Sequence, residues 1–349
     1  MEPTQHTAQS LKQTWENLKT AEPKLRIRDA SSKLGVSEAE LLATGIDENV
    51  IRLTSNFASQ LVEFPKLGRI MSLTRSEGCV LENKGPFQKI ELHQAGTHKM
   101  ATVIGPIELR IFFAGWRFGF AVTTDTARGT MKSLQYFDQE GVAILKVYLQ
   151  EESSEAAYNE IITNHTSMDQ SSELELESFP PENTISLNEL DIASFTHDWE
   201  NMKDTHDFFG MLRNYKLNRQ DAVTWINDKW AYEIDKLSAR KIVATAIETK
   251  LPIMIFAGNK GTIQIHQGKV QNAKQLGEWY NILDPNFNMH LDESQIDKAY
   301  VVHKNTEDGL VSAVEFFDSK KVLIAQFFGL RKPGLPQKPE WKALVDSLK

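Results

Sequence analysis

Lys132-Ser-Leu-Gln-Tyr-Phe-Asp138 is written again, 180 residues on, as Ser312-Ala-Val-Glu-Phe-Phe-Asp318. Phe137 meets Phe317 and Asp138 meets Asp318 at that spacing, and so do Gly129 and Gly309, Val122 and Val302, Arg110 and His290, and Tyr148 and Phe328. Upstream, Met71, Gly78 and Gly85 match Met254, Gly261 and Gly268 at a spacing of 183, and Trp15-Glu-Asn-Leu matches Trp199-Glu-Asn-Met at 184. Matches in one order with a small drift mark a duplication, and a period this long is a domain rather than a solenoid unit. Each copy reads as a helical stretch followed by strand-like runs broken by turn residues. In the second copy these runs include Pro252–Gly261, closed by the Asn259–Gly261 hairpin signal, then Lys298–Lys304, Ser312–Asp318 and Val322–Phe328. Pro339–Leu348 reads as a closing helix. The expected fold is therefore α+β: a tandem duplication of one domain, each copy with N-terminal helices, a large antiparallel sheet and a C-terminal helix.

Between the copies the composition changes. Glu151 to Asn188 carries Glu-Glu-Ser-Ser-Glu, Asp-Gln-Ser-Ser-Glu-Leu-Glu-Leu-Glu and Pro180-Pro181. Such stretches bury little apolar surface and read as a linker. The expected layout is a first domain over 1–165, a linker over 166–189 and a second domain over 190–349. That two-domain division suits 349 residues, of which 41% are hydrophobic and 25% charged.

A net charge of −8 without a basic tract argues against nucleic acid, so an anionic ligand needs a local pocket of Lys and Arg. No apolar run has the length of a membrane span, and the polar Met1–Ser10 has no secretory core, so a cytoplasmic location is expected. The single cysteine, Cys79, cannot form an intramolecular disulfide and reads as a small strand residue. No His-x-x-x-His or Cys-x-x-Cys pair, Gly-x-Gly-x-x-Gly, P-loop or Gly-x-Ser-x-Gly is present. Zinc sites and the common nucleotide and serine-hydrolase types are thereby disfavoured.

Thr196-His-Asp-Trp-Glu-Asn-Met-Lys-Asp-Thr-His-Asp-Phe-Phe-Gly-Met-Leu-Arg213 places Trp199, Met202, His206, Phe209 and Leu212 at helical spacing. On that reading His206 points where the apolar residues point, as a hydrogen-bonded core histidine or as a ligand. A second reading starts a new helix here, because Asp204 and Asp207 resemble a capping box. His206 would then lie in a first turn, where the helix dipole favours the neutral, ligating imidazole.

Thr205-His206-Asp207-Phe208-Phe209, with Leu212-Arg213, resembles the haem-ligand helix of the HemS/ChuS family of hemin-degrading and haem-trafficking factors. Gly105-Pro-Ile-Glu-Leu-Arg110-Ile-Phe112-Phe113, Ala299-Tyr-Val-Val-His-Lys304-Asn-Thr-Glu-Asp-Gly309 and Ala325-Gln326-Phe-Phe328-Gly-Leu-Arg331 resemble it in the same order. The resemblance spans nearly the whole chain and includes the duplication. It implies haem b in a cleft between the halves, with His206 as the axial ligand to iron. It implies that Arg110, from the first domain, acts on the distal side, as the candidate catalytic residue, and that Phe112 lines that side. Lys304, Gln326 and Arg331 would lie near the haem edge and distal pocket, the two cations pairing the propionates. Phe328 stands where the family usually has Tyr, so the hydroxyl is missing.

The implied function is haem binding in the bacterial cytoplasm with haem degradation and iron release, driven by an external electron donor. One alternative is a chaperone that passes haem to a separate haem oxygenase; another is an interaction protein with no haem. Implied partners are an inner-membrane haem importer and an oxygenase or reductase. The first domain has Leu25 opposite His206, so the axial site occurs once. His93 and His98 read as surface residues or a weak second haem site. His197 and His303 fall off the ligand face, and His290, the repeat mate of Arg110, reads as structural.

Overall fold

The computed structural model describes residues 8–95, 98–127, 129–331 and 334–349. The chain divides into two compact units. The first comprises Met1–Thr74, Asn83–Phe179 and Asn259–Ile263, and the second comprises Arg75–Glu82, Pro180–Gly258 and Gln264–Lys349. Residues 166–179 of the expected linker thus go with the first unit. There the segment is extended and tied down: Gln170 bonds Arg52, Glu177 accepts from Arg117, and the Phe179 N–H donates to Glu140.

The first repeat begins with α1 (Ala8–Ala21), α2 (Ile27–Leu34), α3 (Glu38–Ala43), β1 (Val50–Arg52) and α4 (Phe57–Leu61). It continues with β2 (Gly68–Arg75), β3 (Cys79–Pro86), β4 (Lys89–Ala95), β5 (His98–Ile104), β6 (Glu108–Phe112), β7 (Phe118–Thr126), β8 (Gly129–Phe137), β9 (Ala143–Ser153) and α5 (Glu155–His165). Within the first unit β1-β7-β8-β9-β2 run antiparallel in that order, and β4-β5-β6 form a meander. Leu134, Tyr136, Ile144 and Leu145 bury under Phe57, Leu61 and Phe64 and against Tyr158 and Ile161 of α5. The closing helix is what covers this face.

The second repeat restates the order with α6 (Ile192–Glu200), α7 (Asp207–Tyr215), α8 (Arg219–Trp225), β10 (Ala231–Ile234), α9 (Ser238–Thr249) and β11 (Ile253–Gly258). It then runs β12 (Thr262–Gly268), β13 (Ala273–Leu276), β14 (Trp279–Leu283), β15 (Phe287–Asp292), β16 (Lys298–Thr306), β17 (Gly309–Phe317), β18 (Leu323–Gly329) and α10 (Pro339–Asp346). Within the second unit β10-β16-β17-β18-β11 and β13-β14-β15 pair antiparallel. Ile253, Ile255 and Ala257 alternate inward along β11 and meet Ile242, Val243 and Ala246 of α9, with Trp341 of α10. Cys79 belongs to this same core, fully buried, and burial pushes its thiol up, far from a reactive state.

The repeat extends to register. Val122 pairs with Ser133 and Val302 with Ala313; the ladders slip by one residue at Tyr136/Phe137 and at Phe316/Phe317. Both slips lead into one turn chemistry. Asp138 accepts the N–H groups of Glu140 and Val142, and Asp318 those of Lys320 and Val322. The residue before the second acceptance has a left-handed backbone in both copies: Gly141 at φ 75° and Lys321 at φ 66°. A side chain at position 141 would meet Ser37, so the first copy needs glycine twice over. The Asp side chain shared by the two copies therefore fixes the hairpin, and the duplicated motif seen in the sequence is this turn with its bulge.

Candidate functional site

The stretch from Trp199 to Leu212 is not one helix. Helix α6 stops at Glu200 and α7 starts at Asp207, with His206 at its N-cap position. Trp199, Met202 and Leu212 are buried as the spacing predicts, but the His206 side chain is 88% exposed and Phe209 is 51% exposed. Phe208 and Met211 take the buried places instead. The break is local side-chain chemistry: Asp207 Oδ2 accepts the N–H of Lys203 at 3.1 Å and of Asp204 at 3.0 Å, so these donors leave the helix ladder. The apolar-face reading of His206 is thereby corrected, and the restarted-helix reading describes the structure.

At the break, Asp204 Oδ1 accepts the His206 backbone N–H at 2.7 Å and stands 2.5 Å from His206 Nδ1. The backbone N–H foremost, against burial, with the ring and Arg331 adding to it, holds the Asp204 carboxyl below the usual carboxylate range. Arg331 thus lies within electrostatic reach of Asp204. Its guanidinium is 21% exposed, and its NH2 donates to Asp308 Oδ2 at 3.4 Å. The loop carrying His206 is moored to the β16–β17 turn, where Glu307 N–H donates to Lys203 O at 2.8 Å and Asn305 Nδ2 to Glu200 O at 2.8 Å.

Beneath α7 sits a buried charge cluster that the sequence does not announce. Arg219, at the start of α8, forks onto Glu315 of β17 with two bonds of 2.7 Å. Lys304 of β16 reaches the same carboxylate at 3.3 Å and Gln326 of β18 at 2.9 Å. Lys304 Nζ lies 3.9 Å from the Phe208 ring centre, and the Arg219 guanidinium lies 5.0 Å from it and 5.5 Å from Phe209. Burial works to raise Glu315, but Arg219 and Lys304 outweigh it and hold its carboxyl at about 2. Burial pushes the Lys304 ammonium down to about 8 against the pull of Glu315. This corrects the expectation of a Lys304 free to meet a propionate: its side chain is 6% exposed and already has its carboxylate. Glu315 was the available signal, since an acid inside the apolar run of β17 must find cations. Arg219 had none beyond its place after the N-cap Asn218.

Phe328 packs diagonally on Phe256 across the β18–β11 pair, rings 5.1 Å apart and inclined at 62°. In the first unit, Arg110 donates from NH2 to Glu108 Oε1 at 2.9 Å and from NH1 to Leu109 O at 3.1 Å, with a third of its side chain exposed. Phe112, half-buried, ends β6. The structure therefore gathers His206, Lys304, Gln326 and Arg331 around the α7 and β16–β18 region of the second unit, with Phe328 on the same β18, and Arg110 with Phe112 on β6 of the first. His303 bonds Ser312, and His290 bonds Asn281, consistent with structural roles. His93 is exposed beside Thr102, and the side chain of His98 lies outside the described residues. No helix among the described residues is long and apolar enough to cross a membrane.

The residues suit a planar metal-bearing ligand. A carboxylate oxygen only accepts, so an imidazole bonded to Asp204 carries its proton on Nδ1. Nε2 is the ring nitrogen not held by Asp204, on an exposed side chain one helical turn before the exposed Phe209, and Arg331 acts on the same Asp204.

Comparison with known proteins points the same way. The model of the haemin-degrading HemS.ChuX domain matches twice, over residues 35–165 and 216–348. The hemin transport protein HmuS of Yersinia pestis is 30% identical over 342 residues, 97% of each chain. The crystal structure of holo-PhuS, a heme-binding protein from Pseudomonas aeruginosa, superposes with a TM-score of 0.95 at 39% identity over 99% of each chain. The heme degrading enzyme ChuS of Escherichia coli O157:H7 gives a TM-score of 0.90 at 29% identity over 98% of this chain and 99% of that one. With both repeats matched by the domain model and nearly the full length shared with its relatives, the chain belongs to the HemS/ChuX family.

Proposed function

We propose that this chain binds haem b as cargo through His206 Nε2 and supports its oxidative breakdown with release of iron, as a route to iron in the bacterial cytoplasm. The observation that carries this is the open imidazole at the broken helix, its Nδ1 held by Asp204 and its Nε2 without a hydrogen-bond partner among the described residues. Haem needs one axial donor, apolar contact and cations for two carboxylates. Phe209 and Phe328 offer the contact, with no hydroxyl at position 328. Arg331 offers a fork to a propionate. Lys304 and Gln326 act from below, through Glu315, by fixing Phe208 and hence α7. Arg110 is the candidate catalytic group on the distal side, its guanidinium oriented by Glu108 and its remaining N–H groups able to donate to an oxygen ligand. Haem itself supplies the redox chemistry, and electrons come from a separate reductase or a chemical reductant. An inner-membrane importer would deliver the haem.

The relatives' names support two uses of one site: HmuS is named for hemin transport and ChuS for heme degradation. A carrier needs only reversible ligation. Titration with hemin separates these readings. A Soret band that His206→Ala weakens and shifts supports the ligand; no band at all defeats every haem reading and leaves an interaction protein. In the complex, ascorbate or a reductase with oxygen should then bleach the band with stoichiometric iron release, unaffected by catalase, and Arg110→Ala should slow this more than it lowers affinity. Bleaching abolished by catalase would instead mark a carrier undergoing coupled oxidation.

A further inference from the structure

We propose that Asp204 is a positioning residue that fixes the tautomer and heading of the His206 ring, an inference that rests on His206 being the ligand. One oxygen, Asp204 Oδ1, takes both the His206 backbone N–H at 2.7 Å and the ring Nδ1 at 2.5 Å. That double contact locks the ring to its own main chain. Asp204 is itself held, because its N–H donates to Asp207 Oδ2 at 3.0 Å and Lys203 O accepts from Glu307 at 2.8 Å. A braced line thus runs from the β16–β17 turn to the imidazole. A carboxylate cannot donate, so the proton is placed on Nδ1 and the lone pair on Nε2, the reverse of the tautomer a free histidine prefers. Carboxylate partners of this kind raise the basicity of a ligating imidazole and fix its orientation. The first repeat lacks both members together, with Pro23 and Leu25 at the positions matching Asp204 and His206. The two residues are 61% and 88% exposed, so the contact contributes little to folding and variants keep the fold.

The test uses the full apo chain and nitrogen-15 NMR at about pH 8, where an ordinary histidine is neutral. The parent should show His206 as the Nδ1–H tautomer and Asp204→Ala as mainly the Nε2–H tautomer. An Nε2–H parent, or the same tautomer in both, would overturn the proposal and leave Asp204 as a backbone cap. With hemin added, Asp204→Ala should lose about ten-fold or more in affinity. In the reduced complex its iron–histidine stretching frequency should fall, and Asp204→Glu should restore both. An unchanged frequency overturns the proposal. Hemin that never ligates His206 in the parent overturns the haem reading instead, while the apo tautomer still decides what Asp204 does.

Discussion

The two repeats bury an ion pair at the same place with its charges exchanged. In the first, Glu38 at the start of α3 meets Lys146 of β9, both nearly inaccessible. In the second, the matched helix start is Arg219, and its partner is Glu315 of β17. Gln326 stands where Lys146 stands, and Gln135 where Glu315 does. A helix N-terminus against a sheet face accepts a charge of either sign provided that its opposite lies below, because the cost of an unpaired buried charge outweighs the dipole preference. In the first copy the pair is Glu38 with Lys146. The second uses four, Arg219, Lys304, Glu315 and Gln326, and places two cations against the aromatic side chains of α7, the helix that follows His206. The scaffold is shared, and the difference is that one copy couples its buried pair to a surface helix.

The largest expected effect comes from uncoupling these pairs. Glu315→Leu strands Arg219 and Lys304, and Lys146→Met removes the buried cation beside Glu38. Each should cost about 3–5 kcal/mol in urea unfolding at neutral pH, and a loss confined to one repeat would break the equivalence. Next is His266, whose repeat mate is Asn83. It stacks on Phe287 at 3.7 Å, and burial pushes its pKa down to about 4. A depressed histidine is uncharged in the folded state, so its stability is intact above the ordinary value near 6.5 and lost as pH falls toward 4. His266→Asn should remove up to about 3 kcal/mol of that acid-side loss; equal slopes in parent and variant would show that the ring is not held neutral. Smaller is the hairpin turn. Lys321→Gly relieves a left-handed backbone but gives up the 2.6 Å ion pair with Asp221, so it should stay within about 1 kcal/mol of the parent, whereas Gly141→Ala should destabilise through that backbone and Ser37; equal losses in a thermal melt would break the comparison. The smallest is His206→Ala, within about 0.5 kcal/mol because the ring is exposed. A larger shift in unfolding midpoint would mean that His206 also serves the fold.

The duplication was legible because it resides in turns and registers: an Asp at fixed distance, a bulge and a glycine leave marks at constant spacing. The helix break was not. Counting apolar positions from Trp199 to Leu212 assumes an unbroken ladder, and the carboxylate of Asp207 that interrupts it looks like any helix acid. The capping pair Asp204 and Asp207 was the available hint, and it described the structure where periodicity did not. The commitment of Lys304 to Glu315 was hidden for another reason. The partners lie on neighbouring strands, and Arg219 joins from a helix 96 residues away along the chain, so no local pattern contains the cluster.

The break before α7 has a consequence for how this site responds to substitution. An exposed residue can be replaced with little folding penalty, so packing does not dictate a histidine at position 206. Under the proposed function, a change at this position alters what the loop binds and leaves the charged layer beneath α7 intact.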